Sequence, residues 1–332
     1  MRVLVTGALG HVGRATVVAL RAAGHDVRGF DLDVRRNHRA ARHAGIGIVL
    51  GDLRDPATLG PAVLDRDAVI HLAAVLPPRS ELRPELAWSV NVSGTRNLIG
   101  VLEAQCPGVR LVYTSSYSVF GDTQSMPAPV TTRTVPRPIE HYGEQKLLAE
   151  QAVRESHLRW TILRLGSVMP VAVDYRAPRS VVRAMFGYPP DNRLECVHRD
   201  DVARCLTNAV ASEAVIGRTL LVGGGGTCRI RFRDLVGSVL AGWGLDMPPE
   251  SAFSTGPAAG DWMDTEESRR LLDYQRHSFA DCVRASGVLP KPARRVVRVF
   301  QPLVHRLMLT QAARGGEVRR KRSQRRQIED TA

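Results

Sequence analysis

Val3-Leu4-Val5-Thr6-Gly7-Ala8-Leu9-Gly10-His11-Val12-Gly13 carries the strongest structural signal in this 332-residue chain. An apolar triplet reads as a buried strand, and a helical pattern follows over about residues 11–23. Between them lie three glycines at three-residue spacing. Glycine permits a tight turn and lets backbone approach a pyrophosphate. The first turn of the following helix then presents its N–H groups to the anion. Three spaced glycines alone are weak evidence; between a strand and a helix they mark a dinucleotide turn. Gly7, Gly10, His11, Val12 and Gly13 are the first candidate cofactor contacts.

The same rhythm continues outward. Short apolar runs at Val27–Phe30, Ile46–Leu50, Ala68–Leu72, Leu111–Tyr113 and Thr161–Leu163 read as strands. Helical stretches fall near residues 55–64, 85–105 and 142–156. Strands that are apolar throughout, alternating with helices, imply a parallel sheet covered on both faces. Right-handed crossovers make it doubly wound. The expected fold is therefore α/β: a doubly wound parallel Rossmann sheet over residues 1–165. Residues 166–290 read as a small mixed substrate lobe, interleaved with the sheet into one compact unit. Its elements are a helix near 199–212, a strand at Thr219–Val222 and a helix over 232–242.

Asp31 ends the second strand, 18 residues after Gly13. A carboxylate there can accept hydrogen bonds from both adenosine-ribose hydroxyls and would repel a 2′-phosphate, which favours NAD over NADP. Arg35 and Arg36 keep NADP open as the alternative. Asp52, after the third strand, suits either the adenine amine or a turn cap.

Charge is distributed unevenly. The chain holds 46 basic and 33 acidic residues, net +13, and residues 291–332 account for 12 and 3 of them, net +9. Of the basic residues 43 are Arg and only three are Lys: Lys146, Lys291 and Lys321. Arg does not replace Lys where a compact ammonium is needed, so Lys146 stands out. Tyr142 lies four residues earlier, which puts phenol and ammonium on one helical face. A nearby cation favours the phenolate and lowers the phenol pKa, which suits proton exchange with an alcohol or ketone. The fifth strand runs into Thr114-Ser115-Ser116, and hydroxyls at such a strand end face the ligand crevice. A turn cap is the plainer role for them.

These residues together resemble the extended short-chain dehydrogenase/reductase family, over about residues 1–285. The resemblance rests on the glycine turn, Asp52-Leu53, His71-Leu72-Ala73-Ala74, Asn91-Val92, Thr114-Ser115-Ser116, Tyr142-x-x-x-Lys146 and His198-Arg199-Asp200-Asp201-Val202-Ala203. It implies an NAD(P)-dependent oxidoreductase or epimerase acting on a sugar-like or other secondary alcohol or ketone. Ser116 would polarise the substrate oxygen, Tyr142 would exchange its proton, and Lys146 would hold the nicotinamide ribose. Leu53, Leu72, Ala73, Ala74, Asn91 and Thr114 join Tyr142 and Lys146 at the cofactor. Departures narrow this. Ser115 and Ser116 stand where family dehydratases carry an acidic pair, which argues against a 4,6-dehydratase. Ser167 replaces the usual Asn, and the segment from Pro170 to Glu195 is short, so a smaller substrate than a full nucleotide sugar is expected. The alternative is a non-catalytic NAD(P)-sensing protein on the same fold.

A hydrophobic fraction of 44% excludes a wholly disordered chain. The five cysteines are scattered, so neither a disulfide framework nor a metal site is expected. No signal peptide and no spanning run is read, which makes the cytoplasm the default. A homodimer is an open expectation. In the tail, Val296, Val297, Phe300, Leu303, Val304, Leu307 and Met308 have helical spacing, with Pro302 set to kink or split the helix. This suits either packing on the body or an anionic membrane surface. The run from Arg319 to Arg326 reads as disordered, and without interleaved aromatics it gives no support to nucleic-acid binding.

Overall fold

The computed structural model describes residues 1–169, 186–286, 289–302 and 306. Its main sheet contains seven strands: β1 (Arg2–Thr6), β2 (Asp26–Leu32), β3 (Gly47–Gly51), β4 (Ala68–His71), β5 (Arg110–Ser116), β6 (Arg159–Leu165) and β9 (Arg218–Val222). All pairings are parallel, in the order β3-β2-β1-β4-β5-β6-β9. The expected doubly wound Rossmann sheet is present.

Strand periodicity explains why both faces are apolar. Val3 and Val5 point to one core, and Leu4 points to the other. Ala68 and Ile70 likewise oppose Val69, while Leu163 opposes Ile162. The first face is covered by α1 (His11–Ala22), through Val17 and Leu20, and by α8 (Arg199–Ala211), through Val202, Leu206 and Val210. The second is covered by α3 (Pro56–Val63), α6 (Gly94–Gln105) and α7 (His141–Glu155). Residues 199–222 therefore return to the main sheet, interleaving the two parts of the chain.

The smaller three-stranded sheet pairs β7 (Ser167–Met169) parallel and β10 (Arg229–Arg231) antiparallel with β8 (Arg193–His198). It packs with α9 (Phe232–Trp243) and α11 (Phe279–Ala285) around a core that includes Leu194, Phe232, Leu240 and Phe253, whereas Leu272 of α10 (Glu266–Leu272) joins the first core of the main sheet.

Two local differences from the sequence expectation have physical reasons. The first is α2 (Arg35–Arg42), a helix that the sequence pattern does not suggest. Its sequence RRNHRAAR has no apolar face, and its one buried residue is Asn37. The second is the helix expected over 85–105. It follows α4 (Arg79–Leu82) as α5 (Pro84–Trp88), a π-helical turn at Ser89–Ser93, and α6. Such turns insert a residue into the helical ladder and recur at functional sites; this one carries Asn91. The tail helix, α12 (Lys291–Val299), ends before Pro302, in keeping with the expected kink or split there. Leu303, Val304, Leu307, Met308 and the run 319–326 lie outside the described residues.

Candidate active site

The strand order reverses direction between β1 and β4, so the crevice for a ligand opens beyond Thr6 and His71. The turn after β1 needs its glycines. Gly7 has φ +71°, and a Cβ at Gly13 would lie 2.1 Å from the Gly7 carbonyl oxygen. Gly10 caps α1 without a side chain, and no acidic residue stands in the first turn. That leaves the positive end of the helix dipole open to an anion, with His11, Val12 and Gly13 in its first turn.

A buried polar chain supports this crevice from below. Thr6 Oγ1 accepts the Leu72 and Ala73 N–H groups, both at 3.2 Å. Its own proton then goes to His71 Nδ1, 2.7 Å away. That assigns the proton on the ring to Nε2, which donates to Thr95 Oγ1 at 2.9 Å. Thr95 in turn donates to the Asn91 carbonyl at 2.8 Å. The histidine stays neutral because burial, reinforced by the Lys146 charge, lowers its pKa to about 3. Asn91 continues the chain: its side chain accepts from Val75 N at 2.7 Å and donates to Gln145 Oε1 at 2.9 Å. The end of β4, with half-buried Leu72, Ala73 and Ala74, is thereby tied to the π turn and to α7.

Asp31 lies at the end of β2 beside the glycine turn. Its carboxylate accepts from Leu9 N at 2.8 Å and from Asn37 Nδ2 at 3.0 Å. Asp52 is arranged as a turn residue: it accepts from Arg54 N at 3.0 Å and is gripped by the Arg54 guanidinium. That hydrogen bond outweighs burial and lowers its pKa. Leu53 is buried, and its carbonyl accepts from Asn97 Nδ2 at 3.0 Å.

At the end of β5, Ser116 Oγ accepts from Ser118 N at 3.2 Å and donates to Ser118 Oγ at 3.1 Å. Helix α7 comes close to this turn because residue 143 is glycine; a Cβ there would sit 2.4 Å from the Ser118 carbonyl oxygen. The approach seats buried Tyr142 at the strand end. Glu81 fixes the start of α7 by accepting from Tyr142 N at 3.0 Å and His141 N at 3.2 Å. One turn on, Lys146 Nζ donates to the Thr114 carbonyl at 2.7 Å and lies 5.9 Å from the centre of the Tyr142 ring. Burial lowers the Lys146 pKa to about 7, against an opposing pull from Glu150.

The expectation that Lys146 depresses the Tyr142 pKa needs correction. Burial, with a smaller contribution from Tyr117, pushes the phenol well above its ordinary 10.0. The ammonium itself is desolvated and turned toward Thr114. The sequence reading also missed four residues that place the site. Glu81 and Gln145 hold α7 by hydrogen bonds, Tyr117 is a half-buried phenol that acts on Tyr142, and Glu150 binds Arg164 by two hydrogen bonds of 2.8 and 2.7 Å. Only Glu150 had a readable signal, its i+4 spacing from Lys146 on the same helical face. Among the described residues no group of His, Cys, Asp or Glu could hold a metal ion.

Residues 3–223 match the model of the "NAD dependent epimerase/dehydratase family". The chain belongs to this family. Within it, a 3-beta-hydroxysteroid dehydrogenase of Mycolicibacterium neoaurum is 33% identical over 196 residues, covering 56% of this chain and 51% of the relative. A UDP-glucose 4-epimerase of Azospirillum brasilense is 33% identical over 175 residues, covering 50% and 49%. This family member thus spans about half the length of the curated relatives it matches. Among solved structures, the UDP-glucuronic acid 4-epimerase of Bacillus cereus, in complex with UDP-glucuronic acid and NAD, superposes with a TM-score of 0.72. The superposition covers 86% of this chain and 98% of that one at 20% identity, a likeness of fold.

Proposed function

We propose that the protein binds NAD across the C-terminal edge of its sheet and interconverts a secondary alcohol and its ketone, as a dehydrogenase or an epimerase. The observation that carries this reading is the seating of Lys146 at the end of β5, where its Nζ donates to the Thr114 carbonyl at 2.7 Å and lies 5.9 Å from the centre of the Tyr142 ring. The crevice suits the cofactor. The glycine turn and the uncapped start of α1 fit a pyrophosphate, and the Asp31 carboxylate beside them would accept hydrogen bonds from a ribose diol. Leu53, Ala73 and Asn91 would line the remainder. When bound, NAD supplies the acceptor and donor of hydride.

The chain's own residues handle the proton. Tyr142 exchanges it with the substrate oxygen, Ser116 orients that oxygen by a hydrogen bond, and Lys146 holds a ribose hydroxyl. Ser115 and Ser116 supply no acid–base pair for expelling water, which supports redox or epimerase chemistry over 4,6-dehydration. Ser167 and the short following segment support a substrate smaller than a complete nucleotide sugar.

The direct test incubates the protein and NAD with sugar acids, hydroxysteroids, simple secondary alcohols and UDP-sugars. Formation of reduced nicotinamide, or inversion at the carbinol carbon without net reduction, is expected for one class. Tight NAD binding with no turnover in any class would instead favour a non-catalytic sensor.

Asp31→Ala gives a second expected result. Losing charged hydrogen bonds of about 1.5–3 kcal/mol lowers NAD affinity by roughly tenfold to a hundredfold. NADP affinity falls less, because a negative group facing the 2′-phosphate is removed. The ratio of the two dissociation constants is the readout, since loosening of the Leu9 turn affects both. An unchanged ratio would remove Asp31 from the ribose site.

A further inference from the structure

We infer that α12 forms, with the adjoining edge of the small lobe, a docking surface for an anionic phospholipid membrane. The inference starts from how the helix is seated. Gly244 ends α9 at φ +80°, and a Cβ there would lie 2.8 Å from the Arg294 carbonyl oxygen. Only glycine allows that approach. Val297 packs on the small-lobe core, and Gln301 Nε2 donates to Asp246 Oδ2 at 3.1 Å. The helix is therefore held at its middle and just past its end.

This seating leaves apolar side chains outside. Val296, Val299 and Phe300 are 58%, 76% and 55% exposed. Met247, next to the Asp246 that binds Gln301, is 40% exposed. The cations of the same helix gather at its seam with α9. Lys291, Arg294, Arg295 and Arg298 line a cavity of about 390 Å³ with Gly244, Leu245 and a single carboxylate, Asp246, which Gln301 binds. Arg294 Nε is buried there without a hydrogen-bond partner.

An apolar edge beside clustered cations fits a lipid interface, where shallow burial of side chains and attraction to phosphate headgroups act together. Charge argues against a second copy: residues 291–332 hold 12 basic and 3 acidic residues, so pairing two such segments would bring like charges together. A nucleic acid would neutralise the cations and leave the valines in water.

The test uses the full chain with vesicles of phosphatidylcholine alone and of phosphatidylcholine with phosphatidylserine. Co-sedimentation should be at least about tenfold stronger on the serine-lipid vesicles and should fall with added salt. The triple variant Val296→Ser, Val299→Ser, Phe300→Ser should lose about tenfold in binding, as should Arg295→Gln with Arg298→Gln. Unchanged circular dichroism shows that each variant is folded. In the parent protein, hydrogen exchange over residues 291–300 should slow when the vesicles are added, a readout that needs no variant.

Three results overturn the inference. The first is no binding. The second is binding unchanged by the triple variant and without protection of α12, which would assign the attraction to the charge beyond it. The third is a concentration-dependent dimer abolished by the serine substitutions, which would assign the face to a second copy.

Discussion

Replacing Tyr142 with Phe is expected to leave the fold and NAD affinity close to the parent's while lowering turnover by about 10²–10⁴-fold. Phe keeps the ring, so the approach of Gly143 to Ser118 and the Glu81 bonds to the backbone of α7 are undisturbed. Only the hydroxyl is lost, and with it the proton exchange. The environment of that hydroxyl also gives the reaction a pH signature. Burial raises the phenol pKa above its ordinary 10.0, so Tyr142 holds its proton at neutral pH. It is then ready to protonate a ketone oxygen. Taking a proton from an alcohol requires it to be the phenolate, which becomes more populated as pH rises. Alcohol oxidation should therefore increase with pH through the neutral and alkaline range, whereas ketone reduction should level or fall. Initial rates in both directions across pH, for parent and variant, check this. Full turnover by the Phe variant would refute the assigned proton role.

The order of strands and helices was legible because the strands are buried on both faces. Val3–Val5 or Thr161–Leu163 need no tertiary information to be recognised as apolar runs, and the helices between them repeat at helical spacing. The exception, α2, is held by something periodicity does not record. Asn37 reaches back to the Asp31 carboxylate at 3.0 Å and the Leu32 carbonyl at 2.8 Å, while the rest of the helix meets water. Interleaving of residues 166–290 with the sheet was expected, but which sheet Thr219–Val222 would join was not, since a buried strand reads the same wherever it pairs.

In the site, local spacing revealed Tyr142 and Lys146 because both stand on one helix and Lys is rare here. Their supports come from distant segments. Glu81 caps α7 from 61 residues before Tyr142, and Thr6, His71 and Thr95 become one hydrogen-bonded chain only once β1, β4 and α6 are assembled. The direction of the Tyr142 pKa was likewise beyond the sequence. A cation four residues away predicts a lowered value, but the result depends on how completely the fold removes water from both groups.

Glu150→Gln is expected to cost about 3–5 kcal/mol of stability, because it leaves the Arg164 guanidinium buried without its carboxylate. Glu150 is fully buried and Arg164 nearly so, and the two meet through paired hydrogen bonds between α7 and β6. Burial alone would raise the Glu150 pKa, but the Arg164 hydrogen bonds and charge, together with the Ser115 hydroxyl and a hydrogen bond from Arg154, outweigh it and lower the value. The resulting stabilisation is present above the ordinary carboxyl pKa and is lost as acid titrates the group through its lowered value. The same carboxylate lies one helical turn beyond Lys146 and favours its protonated form. Removing the charge should move the Lys146 pKa below about 7. In our proposal that ammonium holds the nicotinamide ribose, so the fall of kcat/KM for ketone reduction with rising pH should shift to lower pH. A double change to Met at both positions separates the two effects. An apolar pair of similar volume can restore most of the stability of a broken buried ion pair. It restores no charge beside Lys146, so urea unfolding should recover while the displaced pH profile persists. Recovery of both together would make Glu150 a purely structural residue, and a parent-like profile in Glu150→Gln would remove it from the tuning of Lys146.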